Sequence, residues 1–377
     1  MKKKKNEYKP QRHKKIIRNI ISVVGTLLLA YVFIVIGYSV AKPFGEIGEI
    51  EVKPMESVSY SDDNENTELK NSEENVKAYW LKEKDIESIE DLEGLINVIG
   101  KDYNMVVVPL KIEGGKLNFS SSYDEAILAD VCNDIDLSTI YDTIKSKGYT
   151  PVASINSMHD NLYPNTSKNS GFLVNSTKDL WRDSQNETGK PWLNPASKET
   201  KQYLSAITGE IATAGFKYII CTDMEYPDFS RDALDDIGGI VTETDRYLDL
   251  VDNINNMSQI AEGKGSDIWL ELSAKEILEG KSEVFYKPTT LSTQKYVLKI
   301  DISEFNGKIK IDGKDVDFSK MTLGEKINTI CTEIEKIIYK SSFIPEVYST
   351  ALNMNQKLEV EKVFEELGYD SYIFKNK

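Results

Sequence analysis

Residues Gly189–Phe229 read GKPWLNPASKETKQYLSAITGEIATAGFKYIICTDMEYPDF, and three segments follow one another in them. A polar loop ends in Trp192-Leu193-Asn194-Pro195. Ser197 then offers an N-cap with Glu199 in the first turn behind it. Tyr203, Leu204, Ile207, Ile211 and Ala214 recur at helical spacing, and Gly215 stands where a glycine stop belongs. The apolar run Tyr218–Cys221 reads as a strand buried on both faces, and it breaks off into Thr222-Asp223-Met224-Glu225-Tyr226-Pro227-Asp228. A helix, a buried strand and carboxylates at the strand's C-terminal end make one unit of an α/β barrel.

The same alternation extends along the chain. Short apolar runs at Ala78–Leu81, Met105–Leu110, Pro151–Ile155, Tyr218–Cys221, Asp267–Leu272, Tyr296–Ile300, Phe343–Val347 and Tyr372–Phe374 alternate with helical patterns. Lys308–Phe318 reads as an inserted hairpin turning at Asp312-Gly313. Eight parallel strands predict a (β/α)8 TIM-like barrel over residues 78–377, a length suited to one such domain.

The N-terminus reads differently. Residues 1–18 carry nine Lys/Arg and one Glu, and Ile20–Ala41 carry no charge. This pattern predicts a basic cytoplasmic tail (1–18) and a single transmembrane helix (19–41), because about 20 apolar residues cross a bilayer and the basic flank stays inside. A cleavable signal peptide ending at Ser39-Val40-Ala41 is the rival reading. Residues 42–77 are acidic, polar and aperiodic, as a flexible linker would be. The expected location is the cell membrane, single-pass, with the C-terminal domain extracellular.

Composition removes several chemistries. The chain carries −15, and its first 18 residues contribute +8, which leaves −23 on the remainder. So acidic a body argues against nucleic acid as a partner. Cys132, Cys221 and Cys331 are scattered in apolar contexts and read as core residues. His159 is the only histidine beyond the tail, which disfavours a catalytic triad or a His-rich zinc centre. No cofactor is expected. The one metal option is calcium on Asp223, Glu225 and Asp228.

Alternate strand residues point inward. That parity groups Trp269, Glu271 and Ser273 on one face of the fifth strand, and Lys299 with Asp301 on the sixth. It groups Ile344, Glu346 and Tyr348 on the seventh, and Ile219, Cys221 and Asp223 on the fourth. Acids in a barrel mouth are costly unless paired or functional. Glycoside hydrolysis needs two carboxyl groups of unlike pKa. The expected pair is Asp223 as nucleophile or base and Glu271 as general acid. The competing reading is an ion pair between Glu271 and Lys299. Trp181, Trp192, Tyr163, Tyr226 and Tyr348 are candidate sugar platforms, unless Trp192 and Trp269 fill the core. Arg182, Asn194, His159, Glu225, Asp301 and Glu346 complete the expected glycan-contacting set. Arg182 has Asp183 as its alternative partner, and Asn194 has the loop backbone.

The order of Leu180, Trp181, Arg182, Asp183, Gly189, Trp192, Asn194, Pro195, Ser197, Lys198, Glu199, Gly215, Phe216 and Pro227 resembles a family of bacterial, membrane-anchored, glycoside hydrolase-like barrels. The resemblance runs from about Ala78 to the C-terminus. It implies a polysaccharide or glycan as partner and hydrolysis of a cell-wall or surface polysaccharide as activity. The chain departs from the family pattern at Ser154, Thr222, Glu225 and Lys275. A barrel that binds or scaffolds glycan without turnover is therefore the alternative expectation.

Overall fold

The computed structural model describes residues 75–84, 86–184, 189–237, 243–284, 295–350 and 352–376. The chain divides into two units, Met1–Asn71 and Ser72–Lys377. The expected tail and anchor, and the linker as far as residue 74, lie outside the described residues. Among the described residues no helix is long and apolar enough to cross a membrane.

Eight parallel strands close into a barrel: β1 (Lys77–Trp80), β2 (Met105–Lys111), β3 (Thr150–Asn156), β4 (Tyr218–Thr222), β5 (Asp267–Ser273), β6 (Lys295–Asp301), β9 (Phe343–Ser349) and β10 (Tyr372–Asn376). β10 pairs with β1 to complete the ring. An antiparallel hairpin, β7 (Lys308–Ile311) and β8 (Lys314–Asp317), is inserted after β6. Asp312 (φ 48°) and Gly313 (φ 75°) form its turn, both in the left-handed region that a tight two-residue hairpin requires.

The first four helices are α1 (Ile89–Ile96), α2 (Asp124–Leu128), α3 (Leu137–Ser146) and α4 (Tyr163–Thr166). They are followed by α5 (Lys198–Thr213), α6 (Arg231–Ile237) and α7 (Glu243–Glu262), and then by α8 (Ala274–Glu279), α9 (Leu323–Ile334) and α10 (Met354–Leu367). α5 begins as its sequence dictates. Ser197 Oγ accepts from the amides of Glu199 (3.1 Å) and Thr200 (3.3 Å). The helix buries Tyr203, Leu204, Ile207 and Ile211, and Gly215 follows its end at φ 104°.

Two apolar layers hold the barrel. The inner one takes residues from all eight strands, among them Trp80, Val107, Val152, Ile220, Trp269, Val297, Ile344 and Ile373. The outer one lies between strands and helices. Burying each such aliphatic side chain contributes about 1.5–3 kcal/mol. Because the inner layer holds Trp269, Val297, Ile344 and Ile373, strand alternation carries Glu271, Lys299, Glu346 and Lys375 inward two residues further on.

One expectation is corrected. In β4 the inward residue is Ile220, while Ile219 and Cys221 pack outward against helices. The strand is apolar on both faces, so hydrophobicity did not fix its parity. Asp223 reaches the barrel mouth by another route. Just beyond β4 its own backbone turns left-handed, with φ 49°.

Candidate active site

A cleft of about 1170 Å³ opens at the C-terminal ends of β4, β5 and β6. It brings together Asp223, Glu225, Tyr226, Trp192, Glu271 and Asp301 from the expected set. Ten carboxylates and four lysines line it.

Asp223 sits at its base. Its Oδ2 accepts from Asn156 Nδ2 (2.7 Å) and from Thr222 Oγ1 (2.9 Å). Burial pushes its carboxyl pKa up, but Lys299, His159 and Lys375 outweigh that and hold it below the ordinary 3.8. It is therefore ionised across the physiological range.

His159 and Glu225 stand beside it, with Nε2 and Oε1 2.9 Å apart. The imidazole packs on Trp192, ring centres 4.0 Å apart. Burial lowers the His159 pKa, and the Glu225 and Asp223 carboxylates raise it by more. The loop carrying His159 is pinned from beneath. Asp160 is fully buried, ion-paired to Lys111 at 3.1 Å, and accepts from the amides of Leu162 and Tyr163. Gly115 is required there: a Cβ would lie 2.1 Å from Asp160 Oδ1.

Glu271 points inward as expected, but its surroundings do not suit a general acid. Lys375 Nζ lies 3.1 Å from Oε2 and Lys299 Nζ lies 3.4 Å from Oε1. Both Glu271 oxygens are taken up in ion pairs with lysines. The ion-pair reading with Lys299 is the one the geometry supports, and Lys375 extends it. Burial lowers the Lys375 pKa, and Glu271 and Glu346 raise it further than that. The same ammonium stands 3.8 Å above the Trp80 ring.

Glu346 lies deeper, with no exposed surface. Among the described residues neither of its oxygens has a hydrogen-bond partner, and Lys375 Nζ is 3.8 Å away. Burial first, and Glu271 second, push its pKa well above the carboxylate range. It lies in the barrel interior, where burial favours its neutral form, and it does not line the cleft. Tyr348 presents its ring to Lys299 and Lys375 at 5.0 and 5.4 Å. Asp301 caps the turn that follows β6 by accepting from the Ser303 amide.

Three expected contacts are corrected. Trp181 is buried with Phe172 and Phe229, so it fills core and offers no sugar platform. Arg182 donates to the Gly189 carbonyl (2.9 Å) and to Asn165 Oδ1 (3.2 Å), which makes it a loop brace. Asn194 Oδ1 accepts from the Ala196 amide and shapes the entry to α5. Tyr226 lines the cleft, but its hydroxyl donates to Asp249 Oδ2 at 2.6 Å.

Sequence reasoning missed Glu276. It lines the cleft from the first turn of α8, where Ser273 Oγ accepts from its amide. Burial, and then Glu225, Glu283 and Glu304, push its pKa up to about 7. The signal was present as Ser273-x-x-Glu276, a helix-start pattern directly after a strand. Asp223 and Glu276 are thus two carboxyl groups on one cleft whose environments drive their pKa values apart.

Among solved structures similar to this chain, one supports the fold. The glycoside hydrolase domain of PgaB (BpsB) from Bordetella bronchiseptica matches at 14% identity and a TM-score of 0.56, covering 80% of this chain and 93% of that one. Ega3 from Aspergillus fumigatus, in complex with galactosamine, matches at 13% identity and a TM-score of 0.41, covering 80% and 91%. The pneumococcal virulence factor StrH matches at 11% identity and a TM-score of 0.48, covering 79% and 72%. At these identities the likeness is one of fold, and of these three only the Bordetella domain exceeds a TM-score of 0.5. No curated protein matches the sequence. A family model described as "putative glycosyl hydrolase domain" matches residues 78–362, which span the barrel up to α10, and the chain belongs to that family.

Proposed function

We propose that the barrel is a glycoside hydrolase in which Asp223 is the ionised nucleophile or base and Glu276 is the general acid. What carries this reading is that two carboxyl groups in unlike surroundings line one cleft: Lys299 and His159 beside Asp223 favour its ionised form, whereas burial and neighbouring acids at Glu276 push its pKa up to about 7. Glycosidic cleavage needs one carboxyl of each kind. Glu271 takes a positioning role, in which it holds Lys299 and Lys375 in the barrel mouth. Trp192, packed at a tilt against His159, supplies the aromatic wall against which a sugar face packs.

The excess of carboxylates in the cleft favours neutral or amine-bearing sugars over uronic acids. The test is reducing-end release from a panel of neutral, cationic and anionic oligosaccharides. The reading expects product from the first two groups; product from uronic acid polymers alone contradicts it. The double lysine clamp on Glu271 favours the second reading, a barrel that binds or scaffolds glycan without cleaving it. Tight glycan binding with no product from the wild type would establish that alternative.

The proposal extends to placement. Residues 1–18 form a cytoplasmic tail, 19–41 an anchor and 42–77 a linker that presents the barrel, residues 78–377, outside the cell membrane to a cell-wall or surface polysaccharide. Its support is the nine basic residues ahead of the uncharged run Ile20–Ala41. Protease added to intact cells should degrade the barrel; complete protection of it would remove this placement.

A further inference from the structure

We propose that His159, Asp223 and Glu225 form a three-ligand site for a divalent transition metal of the zinc class, opening onto the cleft. One imidazole nitrogen and two carboxylate oxygens converge there, all within 4.8 Å of one another. Ligands at about 2.0–2.2 Å from a tetrahedral ion lie about 3.4 Å apart. The His159–Glu225 contact, at 2.9 Å, is already closer than that. The remaining adjustment is on the order of 1 Å, and the Glu225 side chain, 40% exposed, is the less buried of the two carboxylates.

The surroundings of the donors resemble those of a ligand set. Asn156 and Thr222 both donate to Asp223 Oδ2, which orients the carboxylate and leaves Oδ1 for an ion. Such outer hydrogen bonds are what fix metal-ligating carboxylates. Trp192 fixes the plane of the imidazole from one side. Asn156 Oδ1 accepts from the His159 amide at 3.2 Å, so one asparagine side chain braces both the His159 and the Asp223 segments. The left-handed backbone at Asp223, φ 49°, is unusual outside glycine. The surplus of carboxylates around the cleft draws a divalent cation in, and Lys299 opposes it.

The donor set chooses the ion. An imidazole with two carboxylates suits Zn²⁺, Co²⁺ or Mn²⁺, whereas calcium takes oxygen alone. This departs from the sequence expectation, which allowed calcium only, on Asp223, Glu225 and Asp228. Three protein ligands leave at least one position open for water or a sugar hydroxyl. Because the ion takes Asp223, metal occupancy and the paired-carboxylate reaction exclude one another, and the cleft becomes metal-sensitive.

Calorimetric titration of the purified full-length chain with ZnCl₂ tests the site directly, with CoCl₂ absorption as a second readout. The expected result is one Zn²⁺ per chain, at least tenfold weaker binding in His159→Ala and in Glu225→Gln, and a Co²⁺ ligand-field band that disappears in both. Circular dichroism establishes that the variants are folded. Equal binding by wild type and His159→Ala, or Ca²⁺ binding as tight as Zn²⁺, overturns the inference. The hydrolase reading is tested apart from this, on chelator-treated, metal-free chain. Sugar release by a chain that binds no Zn²⁺ overturns only the metal site, and Zn²⁺ binding by a chain that releases no sugar even when metal-free retires only the hydrolase.

Discussion

Replacing Lys375 with methionine removes the cation that two buried acids share while keeping the stem that fills the barrel. Lys375 is 8% exposed, and it lies 3.1 Å from Glu271 and 3.8 Å from Glu346. Removing one partner of a buried ion pair costs about 3–5 kcal/mol, because a charge is left without compensation. Two features pull the figure to the lower end. Lys299 remains 3.4 Å from the other Glu271 oxygen, and burial already favours the neutral form of Glu346. The lost contact with the Trp80 face, at 3.8 Å, adds back about 1–2 kcal/mol. The expected loss is therefore about 3–4 kcal/mol. At roughly 2 °C per kcal/mol for a domain of this size, the unfolding midpoint should drop by about 6–8 °C. Scanning calorimetry measures the midpoint. The double variant Lys375→Met/Glu271→Gln should recover part of the loss, with a coupling of about 1–3 kcal/mol. A single-variant loss below about 1 kcal/mol, or strict additivity in the double variant, would refute the lysine-centred account of the barrel mouth.

Other outcomes follow from the same geometry. Hydrolysis should fall as pH rises through about 7, where Glu276 loses its proton, and should fall again at acid pH only below 3.8, where Asp223 gains one. A pH–rate profile that rises through pH 7 contradicts the assignment of Glu276. Glu346 titrates above its unfolded value of 4.5, so the folded chain binds the extra proton. The stability this supplies is complete below about 4.5 and is lost as pH rises toward the raised folded value; Glu346→Gln should flatten that slope in denaturation curves taken across this range. Ser197→Ala removes the α5 cap and should cost about 1 kcal/mol by denaturant titration, with the glycan-binding constant unchanged.

The barrel was legible because its strands are short β-branched runs separated by helical periods, and β2, MVVVPLK, is the plainest of them. Inward and outward faces were legible only where polarity alternates. In β5, β6 and β9 a charged residue two places after an apolar one marks the mouth. In β4 both faces are apolar, so the pattern carried no parity, and the position of Asp223 depends on a backbone turn that hydrophobicity does not encode. Trp181 illustrates a different limit. A tryptophan in a loop reads the same whether it stacks on a sugar or, as here, packs against Phe229. Glu276 was hidden because a first-turn glutamate is the ordinary companion of a helix start. Lys375 was hidden because β10 runs on to Asn376, beyond the apolar residues that announce it, so the inward position two after Ile373 went unread.

The claim at the centre of this account is that Asp223 and Glu276 divide the acid and base work of one cleft. The most direct measurement is single-turnover cleavage of one oligosaccharide by the wild type, Asp223→Asn, Glu276→Gln and Glu271→Gln, with sugar binding measured on the same samples. The account predicts that the first two variants lose at least a hundredfold in rate while still binding sugar, and that Glu271→Gln retains a greater share of the rate than either. Near wild-type cleavage by Asp223→Asn or by Glu276→Gln would contradict it.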